Sequence, residues 1–198
     1  MAASSLQAVK QVLRKRIRGA LASMSEQQRR EESQELVRKL LLTDEYKSSS
    51  RVSVYLSMSN EVQTEGILKD VFSSGRMCYI PWYDTGSTRM EMLRVTSLEE
   101  IAALPLTKWN IRQHRSPDAA ENALSSGGLD LIVSPGLGFN KEGHRLGQGK
   151  GYYDTYLARC HDQGLSPLTI GMAYRCMACE EVPMSEHDSP MDKVLFVS

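Results

Sequence analysis

The residues best suited to chemistry cluster in one stretch, Arg145–Asp154, which contains three alternating glycines. Glycine adopts positive φ without steric cost and lets a ligand approach the backbone closely. Arg145 and Lys150 place positive charge beside the exposed backbone amides of such a turn, a combination that suits a polyphosphate. Asp154 follows at once and offers the hard oxygen ligand that Mg²⁺ prefers. The stretch therefore predicts a nucleotide site.

The glycine spacing differs from the commoner phosphate-binding motifs. A Walker A loop would need Gly where His144 stands and Ser or Thr where Gly151 stands. A dinucleotide fingerprint runs G-x-G-x-x-G, whereas this stretch runs G-x-G-x-G. The spacing alone fits a tight structural turn equally well, and the clustered charge and the pair Tyr152-Tyr153 favour the ligand loop.

Composition excludes two classes of partner. Lys plus Arg equals Asp plus Glu, at 24 each, so the 198-residue chain has no electrostatic footprint for general nucleic-acid binding. No apolar run approaches the ~18 residues that a membrane span needs. Four cysteines with a single C-x-x-C, Cys176 to Cys179, indicate reduced thiols in a cytosolic protein, with metal or redox use as the less favoured alternative.

The N-terminal segment has two interpretations. Its first 24 residues contain no Asp or Glu and five Lys or Arg on an amphipathic pattern. That composition is typical of a mitochondrial transit peptide, and equally of a first helix of the folded protein. We expect a cytoplasmic protein and leave a mitochondrial pool open.

Apolar spacing predicts the elements that must position the glycine stretch. The expected helices cover 6–23, a second helix opened by a capping box at Ser25–Gln28, a third capped by Thr64 and running through Phe72, and 150–163. The expected strands cover 51–57, 77–80 with a stop at Pro81, 90–95 at an edge, 129–134, 168–174 and 193–197.

The alternation of strands and helices predicts a single α/β domain over residues 1–198. We expect three layers, α/β/α, with a mostly parallel sheet. Ligands of such sheets bind beyond the carboxyl ends of the strands. The segments 58–61, 81–83 and 135–154 all fall there.

These residues resemble the 5-formyltetrahydrofolate cyclo-ligase family, also called methenyltetrahydrofolate synthetases. The family's signature is Pro-Gly-x-x-Phe, a short gap, then Arg-Leu-Gly-x-Gly-x-Gly-Tyr-Tyr-Asp, found here at Pro135–Phe139 and Arg145–Asp154. Three further matches follow in family order: Lys10 with Arg14, Ser57–Glu61 and Glu186–Asp188. The likeness covers essentially the whole chain and is similar to the vertebrate form.

The resemblance implies an activity. The family converts 5-formyltetrahydrofolate and MgATP to 5,10-methenyltetrahydrofolate, ADP and phosphate. It implies Mg²⁺ as cofactor, ATP as co-substrate, and 5-formyltetrahydrofolate and its polyglutamates as small-molecule substrates. We expect a monomer whose first helix belongs to the folded protein.

The resemblance also implies site residues. The implied catalytic residues are Lys10, Glu61, Arg145 and Lys150. The implied ATP-binding residues are Lys10, Arg14, Arg145, Leu146, Gly147, Gln148, Gly149, Lys150, Gly151, Tyr152 and Tyr153. The implied substrate-binding residues are Leu56, Met58, Glu61, Tyr83, Trp109, Gln148, Gly149, Lys150, Gly151 and Tyr152. The implied Mg²⁺ ligands are Asp154 and Asp188.

Each role has a simpler alternative. By spacing alone, Lys10 and Arg14 fit a solvated helix face, and Glu61 fits a position that supports the dipole of the following helix. Trp109 could be a core anchor, and Tyr153 fits the core better than a ligand contact.

Two positions depart from the family pattern. Asn140 stands where Asp is usual, and Gln148 stands where vertebrate members typically have Arg, so we expect weaker phosphate or polyglutamate contact rather than inactivity. The rival hypotheses are a binding module that has lost turnover and, less well supported, an RNA-binding protein.

Overall fold

The computed structural model describes residues 2–198, with side chains from Ser5 onward. The helices are α1 (Ala2–Ser23), α2 (Glu26–Leu42), α3 (Asp44–Ser48), α4 (Glu65–Ser73), α5 (Leu98–Ala103) and α6 (Tyr152–Asp162). The strands are β1 (Arg51–Val54), β2 (Met77–Tyr83), β3 (Met90–Val95), β4 (Leu131–Ser134), β5 (Gly138–Phe139), β6 (Arg145–Leu146), β7 (Leu168–Ala173) and β8 (Lys193–Phe196). Within this range, no helix is long and apolar enough to cross a membrane.

A six-stranded sheet in the order β3-β2-β1-β4-β7-β8 forms the centre of the fold. Every neighbouring pair is parallel except β2 and β3, which are antiparallel. The predicted mostly parallel α/β sheet is confirmed, and so is the edge position of residues 90–95. Strands β5 and β6 pair separately as a small antiparallel hairpin.

The core divides into two clusters because successive side chains of a strand point to opposite faces of the sheet. On one face Val52 of β1 packs in a cluster with Leu36 of α2 and Ile67 of α4. On the other face Ile132 of β4 packs in a cluster with Tyr156 of α6. Helices thus cover both faces, as the α/β/α prediction required.

Strand β2 continues through Pro81, so the predicted stop at residue 80 is wrong. The pairing of β2 with β1 ends at Ser53 and Tyr79, whereas the pairing with β3 continues to Tyr83. Proline cannot donate to a ladder and is tolerated where one side of the strand needs no backbone donor. Pro81 lies beyond the last β1 partner, which explains why it is accommodated.

Two helix starts differ from each other in their capping. At α2 the capping box is confirmed, with the Ser25 side chain and the Gln28 side chain each bonded to the other's backbone amide. At α4, Thr64 occupies the N-cap position but makes no side-chain cap bond. Its hydroxyl instead donates to the carbonyl of Tyr55 at 2.7 Å. Thr64 therefore fixes the chain where it leaves β1, next to the cavity described below.

The packing of Phe139 holds the β5–β6 hairpin against the sheet. Its side chain is fully buried, and it fits because its neighbours lack a Cβ. A Cβ at Gly171 of β7 would lie 2.5 Å from Phe139 Cε1, and one at Gly136 would lie 2.5 Å from Phe139 Cζ. The hairpin carries Arg145, the first residue of the glycine stretch, so this packing sets where that stretch begins.

We predict that Gly171→Ala lowers the free energy of unfolding by about 1–3 kcal/mol, because the added methyl overpacks Phe139. The control is Gly19→Ala in α1, where a Cβ meets nothing within 4 Å. There we expect a gain of about 0.5–1 kcal/mol, since alanine favours helix more than glycine does. Chemical denaturation measures the free energy of unfolding of both variants. Equal stability of Gly171→Ala and wild type would contradict the tight packing of Phe139 against Gly171.

Candidate active site

A cavity of about 750 Å³ opens at the carboxyl ends of the strands. Leu56 follows β1, Tyr83 ends β2 and Pro135 follows β4, and all three line this cavity. One face of α1 and the loop between β6 and α6 supply the other walls. The three segments expected to meet at this edge of the sheet do so.

Every residue that the resemblance implied lines the cavity, although their roles stay predictions. These are Lys10, Arg14, Leu56, Met58, Glu61, Tyr83, Trp109, Arg145, Leu146, Gly147, Gln148, Gly149, Lys150, Gly151, Tyr152, Tyr153, Asp154 and Asp188. The lining residues to which we had assigned no role are Gln7, Arg18, Tyr55, Asn60, Ile111, Pro135, Gly136, Ser185 and His187, of which Asn60, Pro135 and Gly136 belong to the segments expected at this edge. Helical spacing from Lys10 and Arg14 would have found Gln7 and Arg18.

The glycine loop, residues 147–151, requires glycine at two of its positions. Gly149 has φ +103° and Gly151 has φ +70°. Gly151 is also the N-cap of α6, so the loop leads directly into the first turn of an 11-residue helix. The first amides of a helix lack intrahelical partners and carry partial positive charge. The loop can therefore offer backbone donors to an anion.

Three cationic side chains of helix α1 line the cavity: Lys10, Arg14 and Arg18. Lys10 and Arg14 are each only 5% exposed, so the solvated-face alternative is wrong for them. Arg14 Nε donates to the carbonyl of Gly147 at 2.9 Å, and Arg18 Nη2 donates to Gln148 Oε1 at 2.8 Å. Burial and the charge of Arg18 lower the pKa of Arg14. Helix α1 thus supports the loop directly.

Two ion pairs form between residues that line the cavity. Lys10 Nζ bonds to Asp188 Oδ2, and Arg145 Nη2 bonds to Asp154 Oδ1 at 2.9 Å. Burial acts to raise the pKa of Asp188, but hydrogen bonds from Lys10 and Ser185 outweigh it and leave that pKa below its ordinary value. The two cations that we predicted to bind phosphate are thus paired with the two carboxylates that we predicted to bind Mg²⁺.

The two carboxylates fit magnesium better than a transition metal. Between residues 2 and 198, no group of three or more His, Cys, Asp and Glu side chains could hold a metal ion. Asp154 Oδ2 and Asp188 Oδ1, however, accept no hydrogen bond from the described residues. Mg²⁺ keeps several waters and usually takes only one or two protein carboxylates together with phosphate oxygens. A free oxygen on each aspartate suits that coordination.

Glu61 lines the cavity in the neighbourhood of Tyr83 and Tyr153. Its Oε2 accepts a hydrogen bond from the amide of Met58 at 2.9 Å rather than from α4, so the helix-dipole alternative is not supported. Burial raises the pKa of Glu61, and the Met58 bond offsets this only partly. Nearby, the rings of Tyr83 and Tyr152 lie 4.9 Å apart with planes inclined by 59°. This wall combines one acceptor with aromatic surface.

Trp109 is 38% exposed, so the core-anchor alternative is wrong. It lies at the tip of a turn whose arms pair at Leu106 and Arg112, where Asn110 takes φ +60°. An aromatic side chain at the mouth of a cavity can stack on a flat ligand. Tyr153, by contrast, is 5% exposed and packs in the core cluster under α6, as its simpler interpretation predicted.

Comparison with known proteins decides the family. A sequence model described as the 5-formyltetrahydrofolate cyclo-ligase family matches residues 6–197. The chain belongs to this family. The mouse 5-formyltetrahydrofolate cyclo-ligase is 47% identical over 197 residues, which cover 99% of this chain and 97% of the mouse protein. A probable cyclo-ligase of Caenorhabditis elegans is 34% identical over 98% of this chain and 95% of its own length.

A solved structure agrees with these sequence relatives. The NMR structure of Aquifex aeolicus 5,10-methenyltetrahydrofolate synthetase superposes with a TM-score of 0.76 at 28% identity. The match covers 95% of this chain and 89% of the Aquifex chain. The resemblance predicted from the motifs is confirmed, and the protein is an enzyme of the ligase class.

Asn140, the first of the two departures from the family pattern, does not line the cavity. Asn140 Oδ1 accepts a hydrogen bond from the amide of His144 at 2.8 Å, and its Nδ2 lies 3.1 Å from His144 Nδ1. Both contacts lie in the tight turn that joins β5 to β6. Asn140 therefore holds a turn, whereas Gln148 lines the cavity.

We predict opposite effects of Glu61→Gln on stability and turnover. A raised folded-state pKa means that Glu61 favours folding at acidic pH, a contribution lost as pH rises through that pKa. The glutamine variant should therefore be more stable than wild type near neutral pH, with the difference shrinking as pH falls towards about 4. Its turnover should fall about 10- to 100-fold, because a neutral amide replaces a charged acceptor.

Denaturation at several pH values and steady-state kinetics would measure both effects. Glu65→Gln is the matched control, since Glu65 is exposed on α4 and pairs only with Lys69. Wild-type turnover in Glu61→Gln would remove this carboxylate from the mechanism.

Proposed function

We propose that this enzyme converts 5-formyltetrahydrofolate and ATP to 5,10-methenyltetrahydrofolate, ADP and phosphate in a Mg²⁺-dependent reaction. One observation carries the proposal: a single cavity joins a cation-lined glycine loop to a wall of one half-buried carboxylate and several aromatic rings. The first half suits a triphosphate, and the second suits a flat, hydrogen-bonding ring system.

The chemistry explains why both halves must share one cavity. The oxygen of a formamide is a poor leaving group, so transfer of the ATP γ-phosphoryl to that oxygen, with release of ADP, activates the formyl carbon. The neighbouring N10 of the folate then attacks that carbon and closes the ring. The C–O bond breaks, phosphate departs and the N10 proton is lost to solvent or a base. The protein's contribution is mainly positioning and charge stabilisation.

The half of the cavity at the glycine loop is the proposed phosphate site. Its cations can exchange a carboxylate partner for a phosphate oxygen. Lys10 and Arg145 exchange their carboxylate partners for phosphate oxygens when the nucleotide enters. Arg14 keeps its Nε on the carbonyl of Gly147 and turns its remaining donors to the phosphates. Lys150 and the amides of residues 147–152 complete the cradle. Charge-assisted bonds of this kind are roughly twice as strong as neutral ones.

Asp154 and Asp188 are the residues that hold Mg²⁺ in this proposal. Each retains one carboxylate oxygen free of hydrogen bonds from the described residues. The metal supplies neutralisation of the charge that develops on the transferred phosphoryl group.

The folate half orients the ring to be closed. Glu61 accepts hydrogen bonds from the pterin or N10 side, and its raised pKa also equips it to assist proton movement. Tyr83, Tyr152 and Trp109 supply ring surface for stacking, with Leu56 and Met58 as apolar lining.

We further propose a monomeric, single-domain cytoplasmic protein whose partners are small molecules. Because α1 brings Lys10 and Arg14 into the cavity, its removal as a transit peptide would dismantle the site. The Arabidopsis thaliana relative, 28% identical over 96% of this chain, is named a mitochondrial cyclo-ligase, which makes fractionation of cells a useful test.

A near-ultraviolet absorbance assay for methenyltetrahydrofolate tests the proposal. Purified protein is mixed with 5-formyltetrahydrofolate, with ATP and Mg²⁺ each present or omitted. The proposal expects a rising signal that needs both. Folded protein that binds folate without producing signal would contradict it and favour a binding module.

We predict that Asp154→Asn lowers kcat by about 100-fold or more, because the metal and Arg145 both lose a charged partner. Asp162→Asn is the matched control, since Asp162 is exposed at the far end of the same helix, and it should behave as wild type. Titration with Mg²⁺ and thermal unfolding separate loss of metal from loss of fold. An Asp154→Asn variant with normal kcat and normal Mg²⁺ dependence would refute the assignment.

A further inference from the structure

Three exposed residues surround the mouth of the cavity: Arg18 of α1 and Gln148 and Lys150 of the glycine loop. We call them the cationic rim. They take no part in the ion pairs Lys10–Asp188 and Arg145–Asp154, and Arg14 lies next to Arg18 along the cavity-facing side of α1. The rim thus places the exposed Arg18 guanidinium at the entrance, beside the exposed part of the glycine loop.

The positive charge of the rim, and of the neighbouring Arg14, has no ion-pair partner among the described carboxylates. Lys10 and Arg145 pair with aspartates, but Arg14, Arg18 and Lys150 form no ion pair with any described Asp or Glu. The side-chain bonds of Arg14 and Arg18 go to neutral oxygens, the carbonyl of Gly147 and the amide of Gln148. Burial and, after it, repulsion by Arg18 lower the pKa of Arg14, and the charge of Asp188 opposes this only in part. An anion bound at the mouth would relieve this imbalance.

The proposed reaction already supplies such an anion, and the inference rests on that proposed function. The triphosphate occupies the inner cations and the glycine loop, and the folate ring occupies the wall of Glu61, Tyr83 and Trp109. The end of the folate remote from its ring system carries glutamyl carboxylates, which are too strongly hydrated to be buried without partners. That end must therefore lie towards solvent, at the mouth.

We propose that Arg18 is a specificity-determining residue that binds the glutamyl carboxylates of the folate substrate. The bond from Arg18 Nη2 to Gln148 Oε1 at 2.8 Å orients the guanidinium and leaves its other N–H donors available. A planar guanidinium can hold a carboxylate through two parallel hydrogen bonds, which an ammonium cannot. Arg18 thereby supplies, from the first helix, the charge that Gln148 lacks.

The position of Arg18 also predicts selectivity for tail length. Each additional γ-linked glutamate adds one carboxylate near the rim, so the benefit of the charge grows with the tail. Because Arg18 is exposed, its contribution is modest and decreases with added salt.

The test compares Arg18→Gln with wild type on the monoglutamate and the triglutamate of 5-formyltetrahydrofolate. Glutamine removes the charge and keeps a polar side chain with a similar aliphatic stem. We expect KM for the triglutamate to rise roughly 3- to 10-fold, with a smaller rise for the monoglutamate. The KM for ATP should stay within about twofold. Lys15→Gln is the control, since Lys15 is exposed on α1 but does not line the cavity.

A double variant, Arg18→Gln with Gln148→Arg, moves the charge from the helix to the loop and should recover the triglutamate KM. Three results would overturn the role of Arg18: unchanged folate KM values, a rise confined to the ATP KM, or an equal rise in Lys15→Gln. Absence of product with the wild-type protein is a different result, because it would overturn the proposed function itself.

Discussion

The ion pair between Arg145 and Asp154 is the interaction on which the site depends. It joins the last strand of the hairpin to the first turn of α6, and the glycine loop lies between these two ends. Arg145 is 8% exposed and also lies with its guanidinium carbon 5.4 Å from the ring centre of Tyr153. The loop backbone is thereby fixed at its base while its glycines remain free to approach a ligand.

Holding a loop with buried charge costs desolvation energy that an apolar contact would avoid. The exchange of binding partners in the proposed reaction explains why charged residues hold the loop. Each cation that now binds an aspartate can bind a phosphate oxygen instead, and each aspartate can then bind a metal. In the proposed function, the atoms that form these ion pairs are also the atoms that bind the metal and the nucleotide.

Helix α1 provides the second support, from the opposite end of the chain. Its buried Ile17 and Leu21 anchor it in the core, and its cations reach the loop at Gly147 and Gln148. The position of the glycine loop therefore depends on more than residues 145–154. A change in α1 can alter a contact more than 100 positions away.

Features whose residues are close in sequence were predictable from the sequence. The glycine stretch carries its cations and carboxylate within ten residues, and the apolar strand ending at Ser134 leads into it. What depends on distant partners was not predictable. The partner of Arg18, the hydroxyl bond of Thr64 to Tyr55 and the tolerance of Pro81 each depend on a neighbouring element.

Short elements were also missed for a physical reason. Helices α3 and α5 have five and six residues, too few for an apolar period to appear. The hairpin strands β5 and β6 have two residues each and are held by Phe139 packing against glycines of other segments. Their existence follows from tertiary contacts rather than from local pattern.

The most direct test of the partner exchange is a crystal structure of the protein with a non-hydrolysable ATP analogue and Mg²⁺. The account predicts that Lys10 Nζ and Arg145 Nη2 bond to phosphate oxygens and no longer to Asp188 and Asp154. It also predicts that the metal contacts at least one of these two aspartates. Bound nucleotide with both ion pairs intact would contradict the central claim.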